Sequence, residues 1–316
     1  MKGKVLFIDS VHPALQHQLE KAGWTCVDGT GWTKEEILKT ISVYTGAVIR
    51  SRFILDAAFM KAATSLKFIA RAGAGMENID IAAAQKAGIT CINAPEGNRN
   101  AVAEHAIGLL LALFNNIVKA DGEVRKGLWL REDNRGIELE GKTISLIGFG
   151  NTGSTMARKL SGFNCRILAV DPYLKIDNSL FPYVQQVALG EALEQSHIIS
   201  LHVPLTDETR YMVNHAFIES ASNNFYLINT SRGKVVSIEA VVKGLQSGKI
   251  CGAGLDVLEF ESISFENISE STVPESFRQL LDLPRVVLSP HVAGWTHESH
   301  RKISEVLASK IKALFN

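Results

Sequence analysis

The amino-acid sequence predicts an α/β protein with two doubly wound parallel-sheet domains. Short apolar runs alternate with amphipathic segments of helical spacing, first over residues 4–93 and again over 143–289. Such alternation is typical of parallel strands joined by right-handed crossovers. A chain of 316 residues is long enough to build two separate hydrophobic cores.

The first series predicts a small flavodoxin-like domain. The apolar runs predict strands at Val5–Ile8, Trp24–Val27, Ala47–Ile49, Phe68–Ala70 and Ile89–Ile92. The segments between them predict helices at Pro13–Ala22, Lys34–Thr40, Asp56–Ala63 and Asn78–Ala87.

The second series predicts a larger domain, with strands at 143–147, 165–170, 197–202, 225–229, 251–257 and 285–289. One continuous helix is predicted over 100–126, between the two series. Another is predicted over 296–315, and we expect it to return to the first domain. The segment 261–279, rich in Ser and Glu, is the most loop-like.

Composition narrows the possible partners and location. Thirty-three basic residues balance thirty-three acidic ones, so no overall field attracts nucleic acid or an anionic membrane. The cysteines are far apart and form no CxxC pair, which argues against a zinc or redox site and for reduced, mostly buried thiols: Cys26, Cys91, Cys165 and Cys251. The first apolar run is too short for a signal peptide. We therefore expect a cytoplasmic protein with no metal.

A glycine turn follows the first strand of the second domain. Gly148 permits the tight turn, Gly150 lets the backbone approach a pyrophosphate, and Gly153 lets the next helix pack closely on its strand. Asp171 ends the following strand, where an acid that binds ribose is expected. This context predicts a Rossmann domain that binds NAD, and the carboxylate disfavours the 2′-phosphate of NADP. The alternative is an ordinary glycine-rich turn.

Polar residues also follow the other predicted strands. In an open parallel sheet, ligands bind beyond the carboxyl ends of the strands. In the second domain these ends carry 202–204, 229–233, Asp256 and 290–291, and in the first domain 50–52, 71–75 and 93–95. Any one of these residues could form a hydrogen bond at a strand end without taking part in chemistry. Together, however, they bring arginine, carboxylate and histidine side chains to the ends of the strands, which favours a functional site.

Three segments resemble signatures of the D-isomer-specific 2-hydroxyacid dehydrogenases: 229–233 (NTSRG), 254–261 (GLDVLEFE) and 289–294 (SPHVAG). Residues 71–75, 93–97, 102–105 and 201–206 also resemble that family, in its order. The resemblance implies an NAD domain at 99–294, inserted into a discontinuous substrate domain at 1–98 plus 295–316. It is strongest to short D-3-phosphoglycerate dehydrogenases, which lack a regulatory C-terminal domain.

The resemblance implies a catalytic set of Arg232, Glu261 and His291. An imidazole that titrates near neutrality can exchange the hydroxyl proton. A carboxylate partner favours the imidazolium and fixes its tautomer, and a guanidinium aligns the substrate carboxylate. Ser262, Trp295 and Glu77 depart from the family pattern, and 261–291 is longer than is usual. Glu259 is therefore the alternative to Glu261.

The remaining predicted site residues fall into two sets. Those expected to bind the cofactor are Gly148, Gly150, Asn151, Thr152, Gly153, Asp171, His202, Pro204, Thr209, Thr230 and Asp256. Those expected to bind the substrate are Arg50, Arg52, Arg71, Ala74 and Gly75, the arginines because a phosphate needs a cationic cluster.

The favoured function is that of an NAD-dependent oxidoreductase. We expect it to interconvert D-3-phosphoglycerate and 3-phosphohydroxypyruvate in serine biosynthesis, and to be a homodimer. Glyoxylate, hydroxypyruvate or another 2-oxo acid is the alternative substrate. A protein that senses NAD, similar to the corepressors that share this fold, is the alternative that is not an enzyme.

Overall fold

A computed structural model describes residues 2–261 and 274–315. Its internal contacts divide the chain into two compact units. Unit 1 comprises Met1–Arg99 and Trp295–Asn316, and unit 2 comprises Asn100–Gly294. The predicted first boundary, at 98/99, differs from the observed one by a single residue.

Unit 1 is built on a parallel sheet that has five strands among the residues described. The strands are β1 (Gly3–Phe7), β2 (Trp24–Asp28), β3 (Gly46–Ile49), β4 (Phe68–Arg71) and β5 (Thr90–Ile92), in the spatial order β2-β1-β3-β4-β5. This is the flavodoxin-like order. The helices of the first series are α1 (Ala14–Lys21), α2 (Lys34–Thr40), α3 (Ala57–Ala62) and α4 (Ile81–Lys86).

Local sequence explains where these helices begin. The Asp56 and Asp80 side chains accept hydrogen bonds from backbone N–H groups in the first turns of α3 and α4. Thr33 and Glu36 form a capping box at the start of α2. The last helix of the chain, α12 (His297–Leu314), starts with a similar reciprocal pair, Thr296 and Ser299.

Helix α12 packs in unit 1, as expected. Its residues Leu307 and Ile311 are fully buried in a core shared with Leu15 and Leu19 of α1 and with Val5 of β1. The return of the chain therefore covers one face of the unit 1 sheet.

Unit 2 contains a parallel sheet of seven strands within the described ranges. The strands are β6 (Thr143–Ile147), β7 (Arg166–Val170), β8 (Val184–Gln186), β9 (Ile198–Leu201), β10 (Phe225–Asn229), β11 (Ile250–Leu255) and β12 (Val286–Leu288). Their spatial order is β12-β11-β10-β9-β6-β7-β8. The strand order reverses between β6 and β9, which is where a doubly wound sheet binds its ligand.

Two core layers cover this sheet. The helices are α5 (Pro95–Phe114), α6 (Ile117–Val124), α7 (Asn151–Leu160), α8 (Leu189–Gln195), α9 (His215–Ser220), α10 (Ile238–Gln246) and α11 (Glu275–Leu281). One buried cluster combines α5 and α7 with β6 and β7, and the other combines α8, α9 and α10 with the opposite face. The predicted fold class is confirmed.

Three details of the fold differ from the sequence prediction. The helix predicted over 100–126 is in fact two helices, α5 and α6, bent by 59°, because Asn116 adopts a left-handed backbone with φ 50°. Strand β8 was not predicted. The end of the predicted loop 261–279 forms the start of α11, whereas residues 262–273 lie outside the described part.

In the described part of the chain, no single helix is both long and apolar enough to cross a membrane, although α5 and α6 taken together pass on length and composition.

Candidate active site

The glycine turn after β6 has the geometry of a phosphate cradle. Gly148 has φ 93°, and a Cβ there would lie 2.6 Å from the carbonyl oxygen of His202. A Cβ at Gly153 would lie 2.1 Å from the carbonyl oxygen of Gly148, so the close packing of α7 requires glycine. Gly150 faces open space. Asn151 and Thr152 form the first turn of α7, whose backbone N–H groups favour an anion.

Asp171, at the end of β7, is fixed beside this turn by three backbone N–H groups. One carboxylate oxygen accepts a hydrogen bond from Phe149 at 2.9 Å. The other accepts from Tyr173 at 3.0 Å and from Leu174 at 3.1 Å. A carboxylate has about four acceptor positions, so it can still accept a bond from a ribose hydroxyl.

Two predicted cofactor residues carry buried polar atoms that a ligand would satisfy. Nδ1 of His202 and Oγ1 of Thr230 are buried and have no hydrogen-bond partner among the residues described. The other ring nitrogen of His202 lies 3.0 Å from Oγ of Ser200. Burial lowers the pKa of His202 to about 4, so its ring is neutral at physiological pH. Together with the glycine cradle, these residues fit a dinucleotide.

Pro204 and Thr209 lie in the loop that follows β9. The Thr209 hydroxyl donates to the Pro204 carbonyl at 2.6 Å and accepts from the backbone N–H of Thr206 at 2.8 Å. The Thr209 side chain thus stabilises the loop, and contact of Pro204 and Thr209 with the cofactor stays a prediction.

The turn after β10 positions Arg232. Asn229 is fully buried, and its side chain accepts two hydrogen bonds from Ser231 and donates one to the Arg232 carbonyl at 3.1 Å. A Cβ at Gly233 would lie 1.9 Å from the carbonyl oxygen of Leu258. The turn therefore lies directly against the segment that leads to Glu261.

Glu261 is the acid that pairs with His291. Its Oε2 lies 2.6 Å from Nδ1 of His291, and both side chains are largely shielded, with 18% and 24% exposed. Its other oxygen accepts a hydrogen bond from the backbone N–H of Leu258. Glu259, the alternative, instead accepts from the backbone N–H of Ile238 at 2.8 Å, at the start of α10. The geometry therefore separates two acids that the sequence left open.

Asp256 faces the protein. Only 1% of its side chain is exposed, and its carboxylate accepts hydrogen bonds from the backbone N–H groups of Val292 and Ala293 at 2.9 and 2.8 Å. Its oxygens hold the loop that carries His291, and the assignment of this side chain to the cofactor stays a prediction. Ser289 and His105 contact the same carboxylate. The segment 102–105 resembles the family, but no sequence pattern assigns a role to His105.

In unit 1, the loop after β3 is organised around Asp9. Its carboxylate accepts from the backbone N–H groups of Arg50, Ser51 and Arg52 at 2.6, 3.1 and 3.3 Å. The Arg52 guanidinium donates to the carbonyls of Ile8, Thr30 and Trp32. The donors of Arg52 thus join three backbone segments, and its contact with the substrate stays a prediction.

Arg50 belongs to a cluster of aromatic and basic groups in unit 1. Its guanidinium carbon lies 4.2 Å from the centroid of the Trp295 ring. The His300 ring is 5.9 Å from Trp295 and 5.6 Å from His12. Burial, then the charges of Arg50, His12 and His297, lower the pKa of His300. The His300 ring is therefore neutral at physiological pH, and the permanent charge of the cluster, near the ends of β1 and β3, is that of Arg50.

The loop after β4 holds the other predicted substrate residues of unit 1. Gly73 has φ 157°, and a Cβ there would lie 1.6 Å from a guanidinium nitrogen of Arg71, so the Arg71 side chain folds over the turn. The Asn93 amide donates to the Ala74 carbonyl at 2.6 Å. Ala74 and Gly75 are half-buried.

The cysteines are free and half-buried, which is less buried than expected. Burial and then Glu20 raise the pKa of Cys26 to about 12. Burial also raises the pKa of the other three thiols. All four are therefore protonated at neutral pH and poorly suited to nucleophilic chemistry.

Comparison with known proteins identifies the family. Residues 107–293 match the profile of the D-isomer specific 2-hydroxyacid dehydrogenase, NAD binding domain. The chain belongs to this family. NAD, inferred from the glycine turn and Asp171, is confirmed as the cofactor of unit 2.

The chain is similar to relatives with different named substrates. It is 35% identical to the D-3-phosphoglycerate dehydrogenase of Archaeoglobus fulgidus over 98% of this chain and 56% of that one. It is 38% identical to the hydroxypyruvate reductase of Thermotoga maritima, over 88% and 87% of the two chains. Thus the chain spans about half the length of the first relative and most of the second.

A solved structure shows the same fold. The glyoxylate reductase of Paecilomyes thermophila superposes with a TM-score of 0.85 and 25% identity, over 99% of this chain and 95% of that one. The three relatives share oxidoreductase names but differ in the named substrate. Membership of the family therefore does not determine the substrate of this chain.

Proposed function

We propose that this protein is an NAD-dependent oxidoreductase that interconverts a D-2-hydroxy acid and its 2-oxo acid. The observation that carries the proposal is the contact of 2.6 Å between His291 and Glu261, both shielded from solvent. An imidazole with one nitrogen held by a carboxylate presents its other nitrogen as a proton donor or acceptor.

The proposed chemistry divides between cofactor and protein. NADH, when bound, supplies the hydride. His291 donates a proton from Nε2 to the substrate oxygen as the carbonyl is reduced, and takes that proton back in the oxidation. Glu261 holds Nδ1 and fixes the orientation of the ring. Each carbonyl reduction thus consumes one hydride from the cofactor and one proton from His291.

Arg232 is proposed to bind the substrate carboxylate and carbonyl oxygen. Its guanidinium carries a permanent charge and parallel donors. The buried Asn229 fixes the backbone of its turn, so the donor is positioned before the substrate binds.

For the substrate we favour 3-phosphohydroxypyruvate. The Arg50 guanidinium supports this proposal, because a charge-assisted donor adds binding energy that only an anionic substituent can use. Glyoxylate and hydroxypyruvate are the alternatives, supported by the names of similar proteins.

The first test is NADH oxidation measured against a panel of 2-oxo acids. Turnover of one or more supports the enzyme, whereas NADH binding without any turnover supports an NAD-sensing protein. The second test compares kcat/KM for 3-phosphohydroxypyruvate and hydroxypyruvate. Equal values in the parent would refute the phosphorylated substrate. A preference that survives Arg50→Ala would refute only the role of Arg50.

We also propose a homodimer. Apolar side chains on α6 and in the segment after it are exposed, including Ile117 (54%), Val118 (56%) and Trp129 (77%). Exposed apolar patches of this kind often mark interfaces. Sedimentation should give twice the mass of the chain. A mass of one chain at micromolar concentration would contradict the proposal.

A further inference from the structure

We propose that His105, on α5, is a positioning residue that acts through Ser289 to hold the loop carrying His291. The inference rests on the proposed function, because it gives His105 a purpose only if His291 exchanges the proton. His105 lies on a helix that precedes the strands of unit 2, and neither the glycine turn nor the residues at the strand ends give it a role.

The loop needs such support because its backbone is strained. His291 has φ 54°, in the left-handed region that residues other than glycine rarely adopt. Its backbone N–H donates to the carbonyls of Asp256 at 2.8 Å and of Ser289 at 3.1 Å. A conformation of this kind persists only where surrounding contacts fix it.

The Asp256 carboxylate is the centre of those contacts. It accepts the backbone N–H groups of Val292 and Ala293 and, at 2.5 Å, the hydroxyl of Ser289. Burial opposes ionisation of Asp256, but the hydrogen bonds from His105, Ser289, Ala293 and Val292 together outweigh it and lower its pKa. The anion therefore persists at neutral pH and anchors both sides of His291.

The hydrogen bonds in this network run in one direction. Ser289 has one proton, and it donates that proton to Asp256. Its oxygen must then accept from Nε2 of His105, 2.8 Å away. His105 is therefore in the Nε2–H tautomer, and the chain runs from His105 through Ser289 to Asp256. Nε2 also lies 3.4 Å from the Asp256 carboxylate, which supports the same orientation.

Helix α5 places His105 at the end of β11. Leu109, one turn later, and Leu113 pack on Gly254, where a Cβ would lie 3.0 and 3.4 Å from their side chains. Residues four apart lie on the same helix face, so His105 reaches Asp256, two residues after Gly254. The helix thus fixes the donor relative to the strand that carries the acceptor.

Loss of the His105 donor should leave Ser289 held by Asp256 alone and loosen the loop. We expect His105→Leu to lower kcat with hydroxypyruvate about tenfold, as the loss of one hydrogen bond and a small displacement can do. The Kd for NADH should stay within about twofold, because the network does not touch the glycine turn. Glu104→Gln, an exposed neighbour on α5, is the matched control and should keep the parental kcat.

Three further variants separate positioning from general destabilisation. His105→Gln keeps an N–H donor near the Nε2 position and should restore most of kcat. Ser289→Ala should match His105→Leu, and the double variant should be no worse than either single one, because the two residues act in one chain. Failure of the Gln variant to restore kcat, or additive losses in the double variant, would overturn the proposal.

Hydrogen exchange at the Val292 and Ala293 amides tests the network without relying on activity. Both amides should exchange about tenfold faster in His105→Leu and in Ser289→Ala than in the parent. Unchanged exchange would refute the role of His105, even if His291 proves essential for turnover. Faster exchange with a fully active His291→Ala variant would instead refute the catalytic role of His291 and leave the network established.

Discussion

At the scale of single residues, the site depends on which of several equivalent side chains the fold selects. Glu259 and Glu261 lie two residues apart in one motif, and their types do not distinguish them. The structure distinguishes them. Glu259 accepts a hydrogen bond from a backbone N–H in the first turn of α10, whereas Glu261 contacts Nδ1 of His291. In the same way, Arg50 and Arg52 are alike in sequence, yet only Arg52 has three backbone carbonyls within reach.

Arg232→Lys should be damaging although the charge is kept. An ammonium cannot reproduce two parallel donor bonds, so we expect kcat/KM for the 2-oxo acid to fall about 10- to 100-fold, the loss expected for a hydrogen bond to a charged group. Arg210→Lys, at an exposed position of unit 2, is the matched control. An unchanged kcat/KM in Arg232→Lys would remove Arg232 from the substrate site.

At the scale of elements, the sequence predicted what hydrophobic periodicity encodes. Long buried strands such as β6 and β10 were predicted with their observed bounds. Strand β8 gave no apolar run in the sequence, because it has only three residues, of which Gln185 and Gln186 are exposed. The bend between α5 and α6 escaped because apolar spacing continues through it, and only the left-handed backbone of Asn116 reveals the break.

Gly233→Ala tests the close approach of two of these elements. The added Cβ would lie 1.9 Å from the Leu258 carbonyl, so the segment that carries Glu261 must shift. We expect the free energy of unfolding to fall by about 1 to 3 kcal/mol, and kcat to fall with it.

Gly190→Ala is the control for this prediction, because a Cβ at Gly190 in α8 meets nothing within 4 Å. Chemical denaturation and steady-state rates of both variants provide the comparison. Parental stability and kcat in Gly233→Ala would show that the contact does not constrain the site.

At the scale of the whole molecule, the shielded ring of His202 should make the protein sensitive to acid. Burial lowers its pKa from 6.5 to about 4, so the unfolded chain binds a proton more readily than the folded one. This contribution to stability is complete above pH 6.5 and is lost as the pH falls toward 4. It corresponds to about 2 to 3 kcal/mol by pH 4.5.

Thermal unfolding of unit 2 between pH 7 and pH 4.5 should show this loss. His202→Gln should unfold with a weaker dependence on pH, because its side chain does not titrate. An equally steep decline in parent and variant would show that other groups control the acid sensitivity.

We propose that His291 exchanges the proton while NAD carries the hydride. The most direct test measures kcat for a 2-oxo acid, together with the Kd for NADH, in the parent and in His291→Ala. Loss of a general acid should lower kcat about 10²- to 10⁴-fold, while NADH binding stays nearly intact. A His291→Ala variant with a kcat near that of the parent would contradict the claim.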